Sequence, residues 1–315
     1  MGRAVAGLFT SVAAFCRPTL FGAIVALLTM IGVQMLASEP SRARTNDTTK
    51  RVTFTTVTLG GESIEVGIYR PRGCKGDRLL FVFHGYERDA GSYLRSARRI
   101  ARELCMTVVA PRLDQERFPS WRYQRAGVGR GADGIDLTQS IGPLIAELVD
   151  WARKNVTKPD ADYVLFGHSA GAQMLSRVAA YHPLPGPLRI VIANPSSHVA
   201  PSLKERVPYG FRAAGAPPLE SELLKRYLAQ PITLYLGSDD VGEFRLLKNR
   251  AAQRQGTNRL ERGRAIYQQA VRISAQNGWT LNWRLVEAPG IGHSGRGMLR
   301  APEAAAAISP GPAQP

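Results

Sequence analysis

Residues 162–182, DYVLFGHSAGAQMLSRVAAYH, decide the fold, because a glycine-flanked serine there separates two unlike segments. The first segment is a short apolar run, and the last has the composition and length of a helix. Ser169 lies between them in the pattern G-x-S-x-G, where Gly167 and Gly171 carry no Cβ that would obstruct a tight backbone bend. The stretch therefore predicts a strand, a sharp turn and a helix, with Ser169 at the helix N-terminus.

Apolar runs and amphipathic segments alternate along the rest of the chain. Residues 52–59 and 62–69 alternate apolar and polar side chains on either side of Gly60-Gly61, which predicts an antiparallel hairpin. Later runs are continuously apolar, as in strands buried on both faces of a parallel sheet. These later strands are predicted at residues 79–83, 106–110, 163–166, 189–193, 232–236 and 281–286, and helices at 90–104, 137–156, 220–228 and 259–276.

This order of segments predicts an α/β fold. We expect a doubly wound, mostly parallel, eight-stranded sheet with helices on both faces. Residues 195–231 interrupt the alternation with repeated prolines. They predict a small lid-like excursion after strand 6. In sheets of this kind, ligands bind at the carboxyl ends of the strands.

The N-terminal region has the pattern of an export segment. Residues 19–37 carry no charge and are mostly apolar, and Arg3 and Arg17 precede them. The run is close to the length that spans a bilayer, about 20 residues. We expect an exported protein, periplasmic or secreted, or one anchored to the inner membrane by this segment. The predicted division is a signal peptide or membrane anchor (1–37), a linker (38–50), one domain (51–300) and a flexible tail (301–315).

Composition and cysteine content narrow the possible partners. The formal net charge is +16, but the basic residues are dispersed, so we expect no specific nucleic-acid partner. Cys74 and Cys105 each precede a predicted strand; an oxidising compartment would permit a disulfide if those strands are parallel neighbours. No cysteine pair or His/Cys cluster has the spacing of a zinc site.

A serine nucleophile needs a base, and the base needs a carboxylate. Of the five histidines, only His293 follows the last predicted strand on a loop able to reach Ser169. The acid is expected directly after a buried strand, where Asp239 and Asp240 are both candidates. We favour Asp240 and leave Asp239 open, with Glu243 as an outside candidate. The other histidines are interpreted as follows: His168 is directed away from the attack position, His84 orders its loop, and His182 is a surface or capping residue. His198 is interpreted as a plain loop residue, with a position lining a pocket as the alternative.

Acyl transfer also requires N–H donors for the developing oxyanion. The backbone N–H of Ala170, directly after Ser169, is one candidate. The second is expected in the loop after residues 79–83, at Tyr86 N–H, where Gly85 would let the backbone approach closely.

Taken together, HGY (84–86), GHSAG (167–171), GSDD (237–240) and PGIGHS (289–294) resemble the alpha/beta hydrolase superfamily. The resemblance covers roughly residues 50–300. Within the superfamily the chain is similar to exported bacterial esterase-like members near the poly(3-hydroxybutyrate) depolymerase and dienelactone hydrolase branches. This resemblance implies that Ser169 is the nucleophile, His293 the base and Asp240 the acid, and that the protein uses no metal and no cofactor.

The leading hypothesis is therefore a serine hydrolase that cleaves small or polymeric carboxylic esters through an acyl-enzyme intermediate. Two alternatives stay open. The same three side chains also serve peptidases and amidases, and a basic surface-binding protein could use a hydrolase scaffold without catalysis. The single glycine of HGY differs from the HGGG loops of many esterases, so their substrate preferences do not transfer. Ester chain length, alcohol group and oligomeric state are not fixed by the sequence.

Overall fold

The structure is a computed structural model that describes residues 52–74, 77–129, 135–213 and 217–311. The predicted signal or anchor segment (1–37) and the linker (38–50) lie outside the described residues. Within the described part of the chain, no helix is both long and apolar enough to cross a membrane.

An eight-stranded sheet runs through the molecule in the order β1-β2-β4-β3-β5-β6-β7-β8. The first two strands form the predicted antiparallel hairpin, and β2 pairs antiparallel with β4. From β4 to β8 every pairing is parallel. The strands are β1 (Val52–Leu59), β2 (Glu62–Tyr69), β3 (Arg78–Phe83), β4 (Thr107–Arg112), β5 (Asp162–His168), β6 (Arg189–Ala193), β7 (Ile232–Gly237) and β8 (Arg284–Ala288).

Helices cover both faces of the sheet, so the predicted α/β architecture is confirmed. The apolar runs explain this, since successive side chains of one strand point to opposite faces. The helices are α1 (Ala90–Glu103), α2 (Gly142–Asn155), α3 (Ala170–Tyr181), α4 (Pro217–Leu228), α5 (Arg250–Gln253), α6 (Arg259–Asn277), α7 (Gly295–Arg300) and α8 (Ala304–Ile308). In β3, Leu79 and Phe81 join the core beneath α2, α3, α4 and α6, while Leu80 and Val82 join the core beneath α1, α7 and α8.

Two predicted boundaries differ from the structure. The helix predicted from residue 137 begins at Gly142, with a proline in its first turn; before it, the Asp136 side chain accepts a hydrogen bond from Thr138 N–H and forms a turn. The last strand, predicted at 281–286, starts at Arg284. Residues before it pack on α4 instead, where Trp283 is fully buried and its Nε1 donates to the Tyr227 carbonyl.

Residues 301–311 also differ from the flexible tail expected over residues 301–315, of which residues 312–315 lie outside the described residues. Ala304, Ala307 and Ile308 of α8 are fully buried, and Arg284 Nη2 donates to the Ala307 carbonyl at 3.1 Å. These small apolar side chains complete the core on the α1 face of the sheet. The composition alone, rich in alanine and proline, could not indicate that a surface was available to receive them.

A disulfide joins Cys74 and Cys105, whose Cα atoms are 5.2 Å apart. The two cysteines precede β3 and β4, which are parallel neighbours. They therefore lie at the amino ends of these strands, at the opposite end of the sheet from the loops that follow the strands.

The excursion after β6 contains loops and α4. Its first part is tied together by backbone hydrogen bonds from Ala200 N–H to the Tyr209 carbonyl and from Phe211 N–H to the Ser202 carbonyl. Within it, His198 is fully buried, whereas the sequence suggested an ordinary loop histidine. A lid function for this segment stays a prediction.

Candidate active site

Ser169 lies on a sharp bend between β5 and α3. Its backbone has φ 55° and ψ −109°, a region that residues other than glycine rarely occupy. Ser169 N–H donates to the Ala193 carbonyl of β6 at 2.9 Å, and Gly171 N–H donates to the His84 carbonyl at 3.1 Å. A Cβ on Gly167 would lie 2.5 Å from the Gly171 carbonyl oxygen. The bend therefore requires the glycines that flank the serine.

His293 connects Ser169 to a carboxylate. Its Nε2 lies 3.0 Å from Ser169 Oγ, and its Nδ1 lies 2.7 Å from Asp240 Oδ2. The loops after β7 and β8 are joined by Asp239 N–H donating to the Ile291 carbonyl at 3.1 Å. Because β7 and β8 are parallel neighbours, their following loops meet at one edge of the sheet and bring acid and base together.

The two neighbouring aspartates have different environments. Asp240 has a side chain that is 1% exposed, and it contacts His293. Asp239 is exposed, and its Oδ1 accepts a hydrogen bond from Ser238 Oγ at 2.7 Å. Glu243 is exposed and pairs with Lys248. The geometry thus brings Asp240, rather than Asp239 or Glu243, to the histidine.

A buried arginine also contacts Asp240, and sequence reasoning missed it. Arg259 Nη1 lies 3.2 Å from Asp240 Oδ1, and both side chains are 1% exposed. One signal was available, since Arg259 and Arg262 share a helix face with Ile266 and Ala270 at helical spacing. Arginines on the apolar face of a helix indicate buried polar partners.

His168 differs from its predicted orientation. Its ring lies against that of His293, with centroids 4.9 Å apart, and its Nδ1 is 2.7 Å from Tyr93 Oη. Burial is the main cause that lowers the pKa of His168 well below its ordinary value, and the neighbouring His293 and Arg259 add to the effect. His168 is therefore a neutral ring against one face of the candidate base.

The HGY loop after β3 lies beside Ser169. A Cβ built on Gly85 would be 3.7 Å from Ser169 Cβ and only 2.8 Å from Tyr93 Oη, so a residue without a side chain is needed here. His84 orders the loop, as expected: Leu113 N–H donates to its Nε2 at 3.0 Å, and its Nδ1 lies 3.1 Å from the Gly85 carbonyl. Burial lowers the pKa of His84 to about 4, so it stays neutral.

A pocket of 220 Å³ opens over Ser169 and His293. Tyr86 contributes to one wall, and Arg245 lies with its guanidinium carbon 4.6 Å from the Tyr86 ring centroid. Sequence reasoning also missed several residues that line this pocket; they are Glu87, Tyr93, Gln124, Gln173, Ser196, Phe244 and Arg245.

The fold has solved relatives. One is LpqC, a poly(3-hydroxybutyrate) depolymerase from Bordetella parapertussis, with 28% sequence identity over 79% of this chain and 87% of that chain, at a TM-score of 0.71. Another is poly(aspartic acid) hydrolase-1 from Sphingomonas sp. KT-1, with 29% identity over 78% of this chain and 95% of that chain, also at 0.71. The chain has the alpha/beta serine hydrolase fold. No protein-family model and no curated protein sequence matches this hydrolase-fold chain.

Two further residues that the sequence analysis interpreted lie at the ends of α3. Ala170 is the first residue of α3, directly after Ser169. His182 ends the same helix and is half-buried. Among the described residues, no group of three or more His, Cys, Asp or Glu side chains is arranged to hold a metal ion.

Proposed function

We propose that the protein hydrolyses carboxylic esters through an acyl-enzyme intermediate, with Ser169 as nucleophile, His293 as base and Asp240 as acid. The observation that carries this proposal is the continuous contact from Asp240 Oδ2 through His293 to Ser169 Oγ, at 2.7 and 3.0 Å. A histidine that donates from Nδ1 to a carboxylate presents an unprotonated Nε2, which is the form that accepts a serine proton.

The reaction follows from this geometry. Ser169 Oγ bonds to the acyl carbon as its proton passes to His293, and the carbonyl oxygen becomes an oxyanion. We assign its stabilisation to the backbone N–H groups of Ala170 and Tyr86, since Ala170 directly follows Ser169 and Tyr86 lines the same pocket as Ser169. His293 then returns the proton to the leaving alcohol, and water, activated by the same histidine, releases the acid.

The volume of the pocket favours a substrate with a short acyl group. Its 220 Å³ is below the roughly 300–1,000 Å³ typical of sites for drug-sized ligands. A single short acyl unit fits that space, whereas a long fatty-acyl chain would extend into solvent. Poly(3-hydroxybutyrate) and poly(aspartic acid), named for the two relatives, are therefore useful polymer substrates to compare with small esters.

We propose export for the same protein. The uncharged residues 19–37 favour it, and the Cys74–Cys105 disulfide is typical of an oxidising compartment.

Labelling and turnover together test the proposed function. Wild-type protein should react with a fluorophosphonate probe and turn over p-nitrophenyl esters, with acetate and butyrate preferred to dodecanoate. Ser169→Ala should abolish labelling and lower kcat by at least about 10⁴-fold while the protein stays folded. Ser196→Ala, which removes a second pocket serine, is the matched control and should still be labelled. Retained turnover in Ser169→Ala would exclude this mechanism.

A further inference from the structure

Asp240 is held from two sides in the interior of the protein. Its Oδ2 faces His293 at 2.7 Å, and its Oδ1 faces Arg259 Nη1 at 3.2 Å. The side chains of Asp240 and Arg259 are both 1% exposed. Water and salt screen a buried ion pair much less than an exposed one, so the electrostatic attraction between the Arg259 guanidinium and the Asp240 carboxylate is strong.

The same guanidinium also holds the loop that follows Asp240. Arg259 Nη1 donates to the Gly242 carbonyl at 3.3 Å, and Nη2 donates to the Phe244 carbonyl at 2.6 Å. Phe244 and Arg245 line the pocket, and Arg245 has a φ of 52°. A left-handed backbone at a residue other than glycine persists only where its surroundings hold it. One side chain therefore connects the candidate acid to the pocket wall.

A second buried arginine on the same helix provides a comparison. Arg262 lies one turn after Arg259 in α6 and is also 1% exposed. Its Nη1 donates to the Leu247 carbonyl at 3.0 Å, and its Nε donates to the Gly256 carbonyl at 3.0 Å. Arg262 thus holds neighbouring loops through carbonyl groups, whereas Arg259 also contacts the carboxylate of Asp240.

Resting on the proposed Ser169–His293–Asp240 mechanism, we propose that Arg259 is a positioning residue of this site. Its guanidinium orients Asp240 and offsets part of the negative charge that Asp240 presents to His293. It also fixes the pocket wall formed by Phe244 and Arg245.

The other groups near His293 are neutral or paired with an opposite charge, so they should not mask the effect of removing the Arg259 charge. His168 stacks on its ring and is kept neutral by burial, which lowers the pKa of His168. Behind it, burial raises the pKa of Tyr93, so that phenol is neutral as well. At the pocket rim, Glu87 and Arg245 form an ion pair whose charges offset each other. Removal of the cation behind Asp240 should therefore move the acid limb of the activity profile to higher pH.

The pH dependence of kcat/KM tests the proposal. In Arg259→Met, the acid limb should move upward by about one pH unit, the shift expected from losing one buried charge. We expect kcat to fall at least about tenfold, and KM to rise because the pocket wall loses its anchor. Arg259→Lys keeps the charge but cannot reproduce the planar fork of donors. Its acid limb should stay near that of wild type while KM rises.

Arg262→Met is the matched control for loss of a buried arginine from α6. It should lower stability without moving the acid limb. If Arg259→Met leaves the acid limb in place, or Arg262→Met moves it equally, the positioning role is overturned. Should Arg259→Met not fold, Arg259→Gln keeps hydrogen-bond donors without charge, and an unmoved acid limb there overturns the proposal in the same way.

Failure of this inference is separable from failure of the proposed function. If Ser169→Ala retains turnover, the mechanism itself is excluded. If Ser169→Ala is inactive and Arg259→Gln has the wild-type pH profile, only the role of Arg259 is excluded.

Discussion

At the scale of single residues, each ring nitrogen of His293 has one partner, and the role of base that we propose for His293 depends on both contacts. Asp240 Oδ2 at 2.7 Å fixes the Nδ1 proton, so Nε2 is free to accept one from Ser169 Oγ at 3.0 Å. The rings of His168 and His293 are in contact, and a neutral His168 limits the ways in which the base can tilt. The orientation of the His293 ring is thus fixed by the carboxylate of Asp240 and by the ring of His168.

The two aspartates give the sharpest residue-scale prediction. Asp240→Asn should lower kcat by about 10³–10⁴-fold, because an amide neither fixes the correct tautomer nor stabilises an imidazolium. Asp239→Asn, the matched control on an exposed neighbour, should change kcat by less than about threefold. Steady-state kinetics on p-nitrophenyl butyrate measure both. Equal losses in the two variants would contradict the assignment of Asp240.

Buried neutral histidines predict loss of stability in acid. Burial lowers the pKa of His198 to about 3, while an unfolded histidine titrates near 6.5. Above about pH 6.5 this histidine is neutral in both the folded and the unfolded chain, so its lowered pKa does not change the free energy of unfolding. As the pH falls further, the unfolded chain takes up the proton first, so the free energy of unfolding should drop by on the order of 2 kcal/mol by pH 5.

Urea unfolding at pH 7.5 and 5.0 measures this effect. His198→Phe should reduce the pH dependence, since the aromatic replacement does not titrate. His182→Gln, at a half-buried position, should reduce it less. An unchanged pH dependence in His198→Phe would show that His198 is not responsible.

Residue-scale prediction from sequence reached the motif residues and stopped there. Ser169 and His293 could be located because glycines and strand ends surround them. Asp240 and Asp239 could not be separated with certainty, because one residue of difference in a turn decides which side chain points inward. Arg259 is distant in the chain, and its contact with Asp240 exists only once α6 packs beside β7.

At the scale of elements, the unit formed by β5, the bend at Ser169 and α3 depends on close packing around its glycines. A Cβ on Gly171 would lie 2.6 Å from the Phe83 carbonyl oxygen. The neighbouring backbone belongs to the end of β3 and cannot move without displacing the HGY loop. This close approach explains why the bend and the candidate oxyanion loop lie together.

Gly171→Ala is therefore expected to damage both stability and activity. We predict a loss of about 1–3 kcal/mol in the free energy of unfolding and at least a tenfold loss in kcat/KM. Gly242→Ala is the control, since a Cβ there meets nothing within 4 Å, and it should be neutral within about 0.5 kcal/mol. Thermal unfolding and ester hydrolysis report on both. A Gly171→Ala protein as stable as wild type would contradict this packing argument.

Element types were predictable, whereas some boundaries were not. The apolar runs of β3 and β5 and the amphipathic pattern of α1 follow from local periodicity. The start of β8 was displaced because Trp283 is buried against α4, a tertiary contact that periodicity does not encode. The short helices α5 and α7 have too few turns to produce a recognisable pattern.

At the scale of the whole molecule, the disulfide and the candidate active site lie at opposite ends of the sheet. The carboxyl ends of β5, β7 and β8 lead to Ser169, Asp240 and His293. The disulfide between Cys74 and Cys105 lies at the amino ends of β3 and β4. The disulfide and the candidate residues therefore lie in different loops.

Removal of the disulfide should lower stability and spare activity. The bridge spans 31 residues, for which the chain-entropy account gives about 3–4 kcal/mol. The Cys74→Ser/Cys105→Ser protein should unfold at lower urea concentration, and wild type under reductant should behave alike. At 25 °C we expect kcat/KM within about threefold of wild type. A larger loss in a protein shown to be folded would indicate that the two ends of the sheet are coupled.

The sequence by itself determined the α/β class, the antiparallel opening and the edge of the sheet at which the candidate residues meet, because these follow from local periodicity and the chirality of strand connections. Only the tertiary structure decided which aspartate faces His293, that Arg259 lies behind it, and that α8 is buried. Each of these outcomes depends on side chains far apart in the chain competing for the same interior space, and that competition is settled when the helices pack on the sheet.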